Sequence, residues 1–202
     1  MRFLLLAALA ASLTASASAQ HDHHAAASSG EPAAIVETFT VSGLRVDEAN
    51  PPSGSGVGRA GLRYGDGGYV SIVHGKPYAR GREIWGGLVG FGQPWVAGAH
   101  RATELFTTVP LLIGGTRIEP GAYSLFVTPR HNAWALHVNR TLGMHLSDEY
   151  DAANNVGTVY ASPTVLQTPV EALTWSFRRD GAFVTLAWGN LSTSFSLARA
   201  DV

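Results

Sequence analysis

Glu83 and His100 are the two residues whose chemistry the sequence makes most prominent. They belong to the segment GREIWGGLVGFGQPWVAGAHRATE, residues 81–104, which combines charged side chains with tryptophans and many glycines. A carboxylate beside an imidazole can act as a general acid–base pair when both groups face one cleft within hydrogen-bond reach. The alternative, which we favour, is that Glu83 forms an ion pair with Arg80 or Arg82 and fastens the segment.

The stretch 76–103 also has the composition of a binding surface. Aromatic rings offer stacking faces and cationic side chains donate hydrogen bonds, a combination that suits a sugar or an anionic small molecule. The predicted ligand-binding residues are Lys76, Tyr78, Arg80, Arg82, Glu83, Trp85, Trp95 and His100. A third interpretation is structural, because large aromatic side chains are stabilised by burial and would then close one end of the fold.

Three classes of function therefore stay open at this point. They are small-molecule binding, hydrolysis by Glu83 and His100, and a structural or interaction role in the cell envelope. Ligand binding is the function that we predict, and whether the protein is an enzyme is left undecided.

Other residue types that do chemistry form no recognisable motif. The histidines beyond residue 70 show neither H-x-H nor H-E-x-x-H spacing, and Ser124 has no G-x-S-x-G context. The HDHH cluster at 21–24 has imidazoles that suit zinc or copper, but ordering a terminal cluster costs conformational entropy. We predict no metal site and no cofactor.

The elements that position the 76–103 stretch are predicted to be β-strands. Apolar side chains alternate with polar ones in VEALTWSF and in similar runs near Trp134, Val184 and Phe195, a period of two that is typical of half-buried strands. About ten such runs, with little helix, predict an all-β fold: an antiparallel β-sandwich or a jelly-roll-like variant. Trp134, Trp175 and Trp188 are expected to point inward.

Turn signals separate these runs. They are GDGG at 65–68, GG at 114–115, RDGA at 179–182, and GN at 189–190, and each contains a glycine able to adopt the positive φ of a tight hairpin. Only 146–155 resembles a helix, with Ser147 as its N-cap, and it lacks apolar periodicity.

The N-terminus predicts export. Residues 1–19 contain a basic residue, an apolar stretch and an A-x-A motif, as a signal peptide does, and 20–34 have the composition of a flexible segment. A single domain is predicted over 35–202 in a periplasmic or secreted protein, and no membrane span is expected.

The net charge of −1 argues against nucleic-acid binding. The absence of cysteine excludes disulfides.

The motifs GKPYARGREIWGGLVGFGQPWVAGAHRAT, IEPGAYSLFVTP and NAWALHVN resemble the family known as domain of unknown function 2911, over about residue 49 to the C-terminus. The resemblance implies an exported, β-rich bacterial domain and no known activity. The chain departs from the family pattern at Val96, where an arginine is usual, and at His100 and Arg101, where the family has an Asn-Glu pair.

Overall fold

The fold consists of two antiparallel β-sheets. A computed structural model describes the backbone of residues 33–39 and all atoms of residues 54–200. The strands are β1 (Ala33–Phe39), β2 (Gly56–Arg63), β3 (Tyr69–Lys76), β4 (Thr103–Thr107), β5 (Leu111–Ile113), β6 (Thr116–Ile118), β7 (Gly121–Thr128), β8 (Trp134–Asn139), β9 (Asn155–Ala161), β10 (Pro163–Phe177) and β11 (Phe183–Arg199). The larger sheet has the order β1-β2-β3-β4-β7-β8-β9 and the smaller has β10-β11-β5-β6. The predicted all-β, sandwich-like fold is confirmed.

The main core of the protein lies between the two sheets. Trp134, Trp175 and Trp188 are 0%, 0% and 1% exposed, so the prediction that these side chains point inward is confirmed. The alternation follows from pleating, since successive side chains of a strand leave the sheet on opposite faces. On β10, for example, Leu173, Trp175 and Phe177 are buried, whereas Thr174 and Ser176 between them are only partly so.

Three of the four predicted hairpin turns connect strands, and the fourth does not. Residues 65–68 join β2 to β3, 114–115 join β5 to β6, and 178–182 join β10 to β11. The prediction for 189–190 was wrong, because β11 continues through both residues. Gly189 has a φ of 56° at a point where the β10–β11 register shifts, so its positive φ produces a β-bulge rather than a turn.

The predicted helix at 146–155 is reduced to a single 3₁₀ turn at Ala152–Asn154. The turn is capped by Asp151, whose carboxylate accepts a hydrogen bond from the backbone N–H of Ala153, and not by Ser147. Leu146 has a left-handed backbone with φ of 57°. Without an apolar stripe to bury, the segment gains too little from packing to extend a helix.

The connection between β3 and β4, residues 77–102, contains one bridge within itself, between Trp85 and Val89, and pairs with other parts of the chain at three points. Isolated bridges pair Tyr78 with Ala172 of β10, Trp95 with Val127 of β7, and Arg101 with His145. It is thus held against both sheets by backbone hydrogen bonds. No helix in the part of the chain that the structure describes is long and apolar enough to cross a membrane.

The signal peptide predicted over 1–19 and the HDHH cluster lie outside the described residues. So does the flexible segment predicted over 20–34, apart from its last two residues, which begin β1. The single-domain assignment over 35–202 stays a prediction.

Candidate functional site

The 77–102 connection is fixed at its start by β10. The backbone N–H of Ala79 donates to the Glu171 carbonyl at 2.7 Å, and the N–H of Leu173 donates to the Pro77 carbonyl at 2.9 Å. The Glu171 carboxylate also accepts a hydrogen bond from the backbone N–H of Arg80 at 2.8 Å. These bonds determine where the arginines that follow emerge from the fold.

The middle of the connection enters the core. A tight turn places Trp85 at 8% exposure, and its indole N–H donates to the Trp188 carbonyl at 3.1 Å. The Trp85 ring lies 4.4 Å from the ring of Trp134 and 5.9 Å from that of Trp95. The structural interpretation of this segment is therefore correct for Trp85, whose side chain packs between the sheets.

The end of the connection lies against the outer face of β3. A Cβ atom added to Gly75 would lie 2.2 Å from the Ala99 carbonyl oxygen, so glycine is required for this approach. Thr103 donates its hydroxyl hydrogen to the Ala97 carbonyl, which also accepts a hydrogen bond from the Trp175 indole. The chain carrying His100 is thereby fixed to the sheet.

Between these parts lies a cavity of about 470 Å³, which we call the cationic cavity. Four of the eight predicted ligand-binding residues line it together: Arg80, Arg82, Trp95 and His100. Its other lining residues are Gly54, Ser55, Pro77, Leu88, Val89, Val96, Gly98, Ala99, Leu146, Ser147 and Trp188. No aspartate or glutamate is among the described residues that line it.

Arg82 is held in place by the backbone beside it. Its Nε donates to the Ala79 carbonyl at 3.1 Å and its Nη2 to the Tyr78 carbonyl at 2.6 Å. Arg80 donates from Nη2 to the Gly54 carbonyl at 2.7 Å. Because two of the three Arg82 nitrogens are fixed by carbonyls, the guanidinium is positioned before any ligand arrives.

Backbone strain is concentrated around the cationic cavity. Among the described residues, four that are not glycine have positive φ: Arg80 (50°), Ala97 (51°), His100 (67°) and Leu146 (57°). Three of them line the cavity and the fourth, Ala97, lies between two lining residues. Such conformations are unfavourable for residues with a Cβ atom, and they cluster at functional sites.

Lys76 and Tyr78 do not line the cationic cavity. Both side chains are buried, at 7% and 1% exposure. The Tyr78 ring lies below the Arg80 guanidinium, with 5.5 Å between the guanidinium carbon and the ring centroid. Tyr78 thus supports an arginine of the cavity rather than offering an open stacking face.

Glu83 and His100 are not brought together. Glu83 lines a different cavity, of about 590 Å³, with Trp85, Glu171 and Asn190, and only Arg82 lines both. The turn explains the separation, because the N–H of Leu88 donates to the Glu83 carbonyl and reverses the chain. The favoured ion pair is not found either: none of the ion pairs between described residues includes Glu83.

The remaining histidines have structural surroundings. Burial lowers the pKa of His74 to about 4, against a weaker opposing effect of its hydrogen bond to the Gly75 carbonyl. His137 is held between the hydroxyls of Thr128 and Thr158, each at 2.9 Å, and burial lowers its pKa too. No group of three or more histidine, aspartate or glutamate side chains in the described chain is arranged to hold a metal ion.

Five residues that line the cavity lie outside the predicted stretch 76–103: Gly54, Ser55, Leu146, Ser147 and Trp188. Trp188 was expected only in the core, and Leu146 and Ser147 were assigned to a helix. Leu146 comes to the cavity because its N–H donates to the His100 carbonyl at 2.8 Å. No sequence pattern links these two residues. Their proximity follows only from the pairing of the 143–147 segment with residues 100–102, which the structure shows.

One family model matches most of the chain. Residues 62–197 match the family model described as Protein of unknown function (DUF2911). Neither the curated proteins nor the solved structures include a match to the chain. The match covers β3 to β10 completely, together with the connection that forms the cavity, and the chain therefore belongs to the DUF2911 family.

Proposed function

We propose that the protein binds a small organic anion in the cationic cavity. The observation that carries the proposal is the lining itself: two arginines and a histidine beside the rings of Trp95 and Trp188, with no acidic residue among the described lining residues. Cationic groups at a concave site attract a carboxylate or phosphate, and Arg in particular can bind such groups through two parallel hydrogen bonds.

The ligand also has an apolar part. Leu88, Val89, Val96 and Leu146 line the same cavity as the tryptophans, and such walls favour a molecule that removes apolar surface from water. A neutral sugar has no anionic group for the Arg82 guanidinium to bind, so the lining favours an aromatic or aliphatic acid, or an acidic sugar, over a neutral sugar.

The strained backbone supports binding over a purely structural role. Each non-glycine residue in the left-handed region costs on the order of 1 kcal/mol. Glycine at these positions would relieve the strain, and the chain contains 23 glycines elsewhere. The presence of Arg80, His100 and Leu146 at three such positions of one cavity is explained if their side chains contact a ligand there.

An exported location is part of the same proposal. The arginine-rich site would then meet small acids in the periplasm or outside the cell, as the sequence of residues 1–19 suggests. Mass spectrometry of the protein from its native cell envelope fraction tests this, and a chain beginning at or near Gln20 is the expected result. Recovery of the uncleaved chain from the cytosol would contradict it.

The binding proposal is tested by thermal shift with matched pairs of compounds. Benzoate and benzamide, glucuronate and glucose, and phenyl phosphate and phenol each differ in the presence of an anionic group. A ligand at 100 times its Kd adds about 2.7 kcal/mol of apparent stability. We expect the acid of at least one pair to raise Tm and its neutral partner not to do so. Equal shifts from both members, or none from any compound, would contradict the proposal.

A further inference from the structure

A second concavity adjoins the cationic cavity. This groove, which we call the β3 groove, has a volume of about 300 Å³ and lies over β2, β3 and β4. Its lining residues are Ser55, Gly56, Val57, Val73, His74, Gly75, Ala99, His100, Arg101, Ala102 and Glu104. Ser55, Ala99 and His100 line the groove and the cavity alike.

The two concavities meet at His100. His100 has a left-handed backbone, with a φ of 67°, and it lines both the cavity and the groove. Its carbonyl accepts a hydrogen bond from the N–H of Leu146. The shared wall otherwise consists of small residues, Ser55 and Ala99. A single elongated molecule can therefore extend from one space into the other past the imidazole.

The charge of the lining changes along this path. The cationic cavity has Arg80 and Arg82 and no carboxylate among its described lining residues, whereas the β3 groove contains one carboxylate, Glu104, beside one guanidinium, Arg101. One Glu104 oxygen accepts a long hydrogen bond of 3.4 Å from the Gly143 N–H, and Arg101 donates to the Gly143 carbonyl, also at 3.4 Å. These are long contacts, so the Glu104 carboxylate keeps most of its capacity to accept hydrogen bonds.

We propose that the cavity and the groove form one cleft that binds a short peptide with a free C-terminal carboxylate and a free amino group. This inference rests on the proposed function: the carboxylate occupies the arginine end and an apolar C-terminal side chain lies by Trp95. The amino group lies at Glu104. An acid and an amine separated by a chain of neutral groups match Arg80 and Arg82 at one end of the cleft and Glu104 at the other.

The test compares free and N-acetylated peptides by isothermal titration calorimetry. The probes are Gly-Phe, Gly-Gly-Phe and Gly-Gly-Gly-Phe, each with its N-acetyl form, so that the length of the cleft is sampled. We expect the free amine to bind more tightly at one or more lengths, by about fivefold, as a solvent-exposed charge pair allows. Glu104→Gln should abolish this preference and leave the Kd of the acetylated peptide unchanged.

The control variant is Glu119→Gln, which makes the same change of charge in an exposed side chain paired with Arg117. It should retain the preference for the free amine. Equal affinities of free and acetylated peptides, or a preference that survives Glu104→Gln, would overturn the peptide inference and leave the binding of small anions intact. Binding of a simple acid without binding of any peptide would also overturn the peptide inference alone. Failure of every acid and every peptide to bind would overturn both proposals.

Discussion

One continuous segment, the 77–102 connection, contributes both to the interior between the sheets and to the rim of the cationic cavity, and these two regions differ in their physical character. Trp85 is buried and bonded to Trp188, whereas Arg80, Arg82 and His100 are exposed and two of these three have strained backbones. The interior is stabilised by removal of apolar surface from water. The rim has exposed charges instead, which contribute little to folding. A segment can thus close a core with some residues and present others to solvent, so a structural role for Trp85 does not argue against a binding role for its neighbours.

The largest effect is expected from Trp175→Ala, which tests the interior. Trp175 is 0% exposed and its indole donates to the Ala97 carbonyl at 2.9 Å. Truncation leaves a large cavity and removes one of the two hydrogen bonds that the Ala97 carbonyl accepts, and should lower the free energy of unfolding by about 3–5 kcal/mol. Urea denaturation followed by circular dichroism measures it. Tyr160→Ala, at a side chain 70% exposed, is the control and should change stability little. A loss of less than about 1 kcal/mol in the free energy of unfolding of Trp175→Ala would contradict the contrast between interior and rim.

Acid should weaken the interior through His74, the next largest effect. Burial lowers the folded-state pKa of His74 to about 4, while the unfolded chain has a pKa of about 6.5. Below that value the unfolded chain binds a proton that the folded protein excludes, so stability falls as pH decreases from about 6.5 to 4, by about 3 kcal/mol in all.

Denaturation curves between pH 7 and 4.5 measure this loss, and His74→Gln should flatten the pH dependence. The buried His137 titrates in the same direction, so His137→Gln is the matched control and should keep the part due to His74. The carboxylates with lowered pKa, Asp66 and Asp180, act at lower pH than this range. An unchanged pH dependence in His74→Gln would show that His74 is not excluded from protonation in the fold.

Arg82→Ala tests the rim. We expect it to weaken binding of the acid found by thermal shift by at least about tenfold, equivalent to about 1.4 kcal/mol. Its cost to folding should stay within about 1 kcal/mol, since only two hydrogen bonds to carbonyls are lost. Calorimetric titration and denaturation give the two values. Arg179→Ala, an exposed arginine in the β10–β11 turn, removes the same charge and should leave the affinity unchanged. A large loss of stability with unchanged affinity would mean that Arg82 stabilises the fold and does not bind the ligand.

The smallest effect, and the sharpest test of strain, comes from His100→Gly. Glycine adopts a φ of 67° without steric cost, so the substitution should raise stability by about 0.5–1 kcal/mol while weakening binding. The same change at His131, which is not among the residues with positive φ, should instead lower stability. A destabilised His100→Gly protein would mean that the imidazole contributes more to the fold than the strain removes.

The strands and the core were accessible from the sequence because pleating imposes a period of two on residues that face water on one side. That pattern identified Leu173, Trp175 and Phe177 as buried without any knowledge of their partners. It failed at Gly189, where a positive φ is compatible both with a turn and with a bulge inside a strand. The choice between them depends on β10, which continues alongside and pairs with β11 on both sides of the bulge.

Only about half of the cavity lining could be predicted from the sequence. Arg80, Arg82, Trp95 and His100 are close in sequence and were predicted together, and they line one space. The pairing of Glu83 with His100 was not found, because the direction in which a side chain leaves a glycine-rich turn depends on hydrogen bonds that no local pattern encodes. The opposite wall, at Leu146 and Ser147, comes from a distant segment and needs the three-dimensional pairing to be known.

The tryptophans at the back of the cationic cavity give the protein an optical property. The ring of Trp95 stacks on that of Trp188 at 6.0 Å with an interplanar angle of 18°, and Trp85 connects this pair to Trp134. Indoles this close exchange excitation energy, so light absorbed by any of the four is shared across the cluster. Of the four, Trp95 is the one that is only partly buried, and a molecule that displaces water from its ring will alter the intensity and wavelength of the collective emission. Intrinsic fluorescence therefore reports occupancy of the cavity without a label, at protein concentrations low enough to follow tight binding directly.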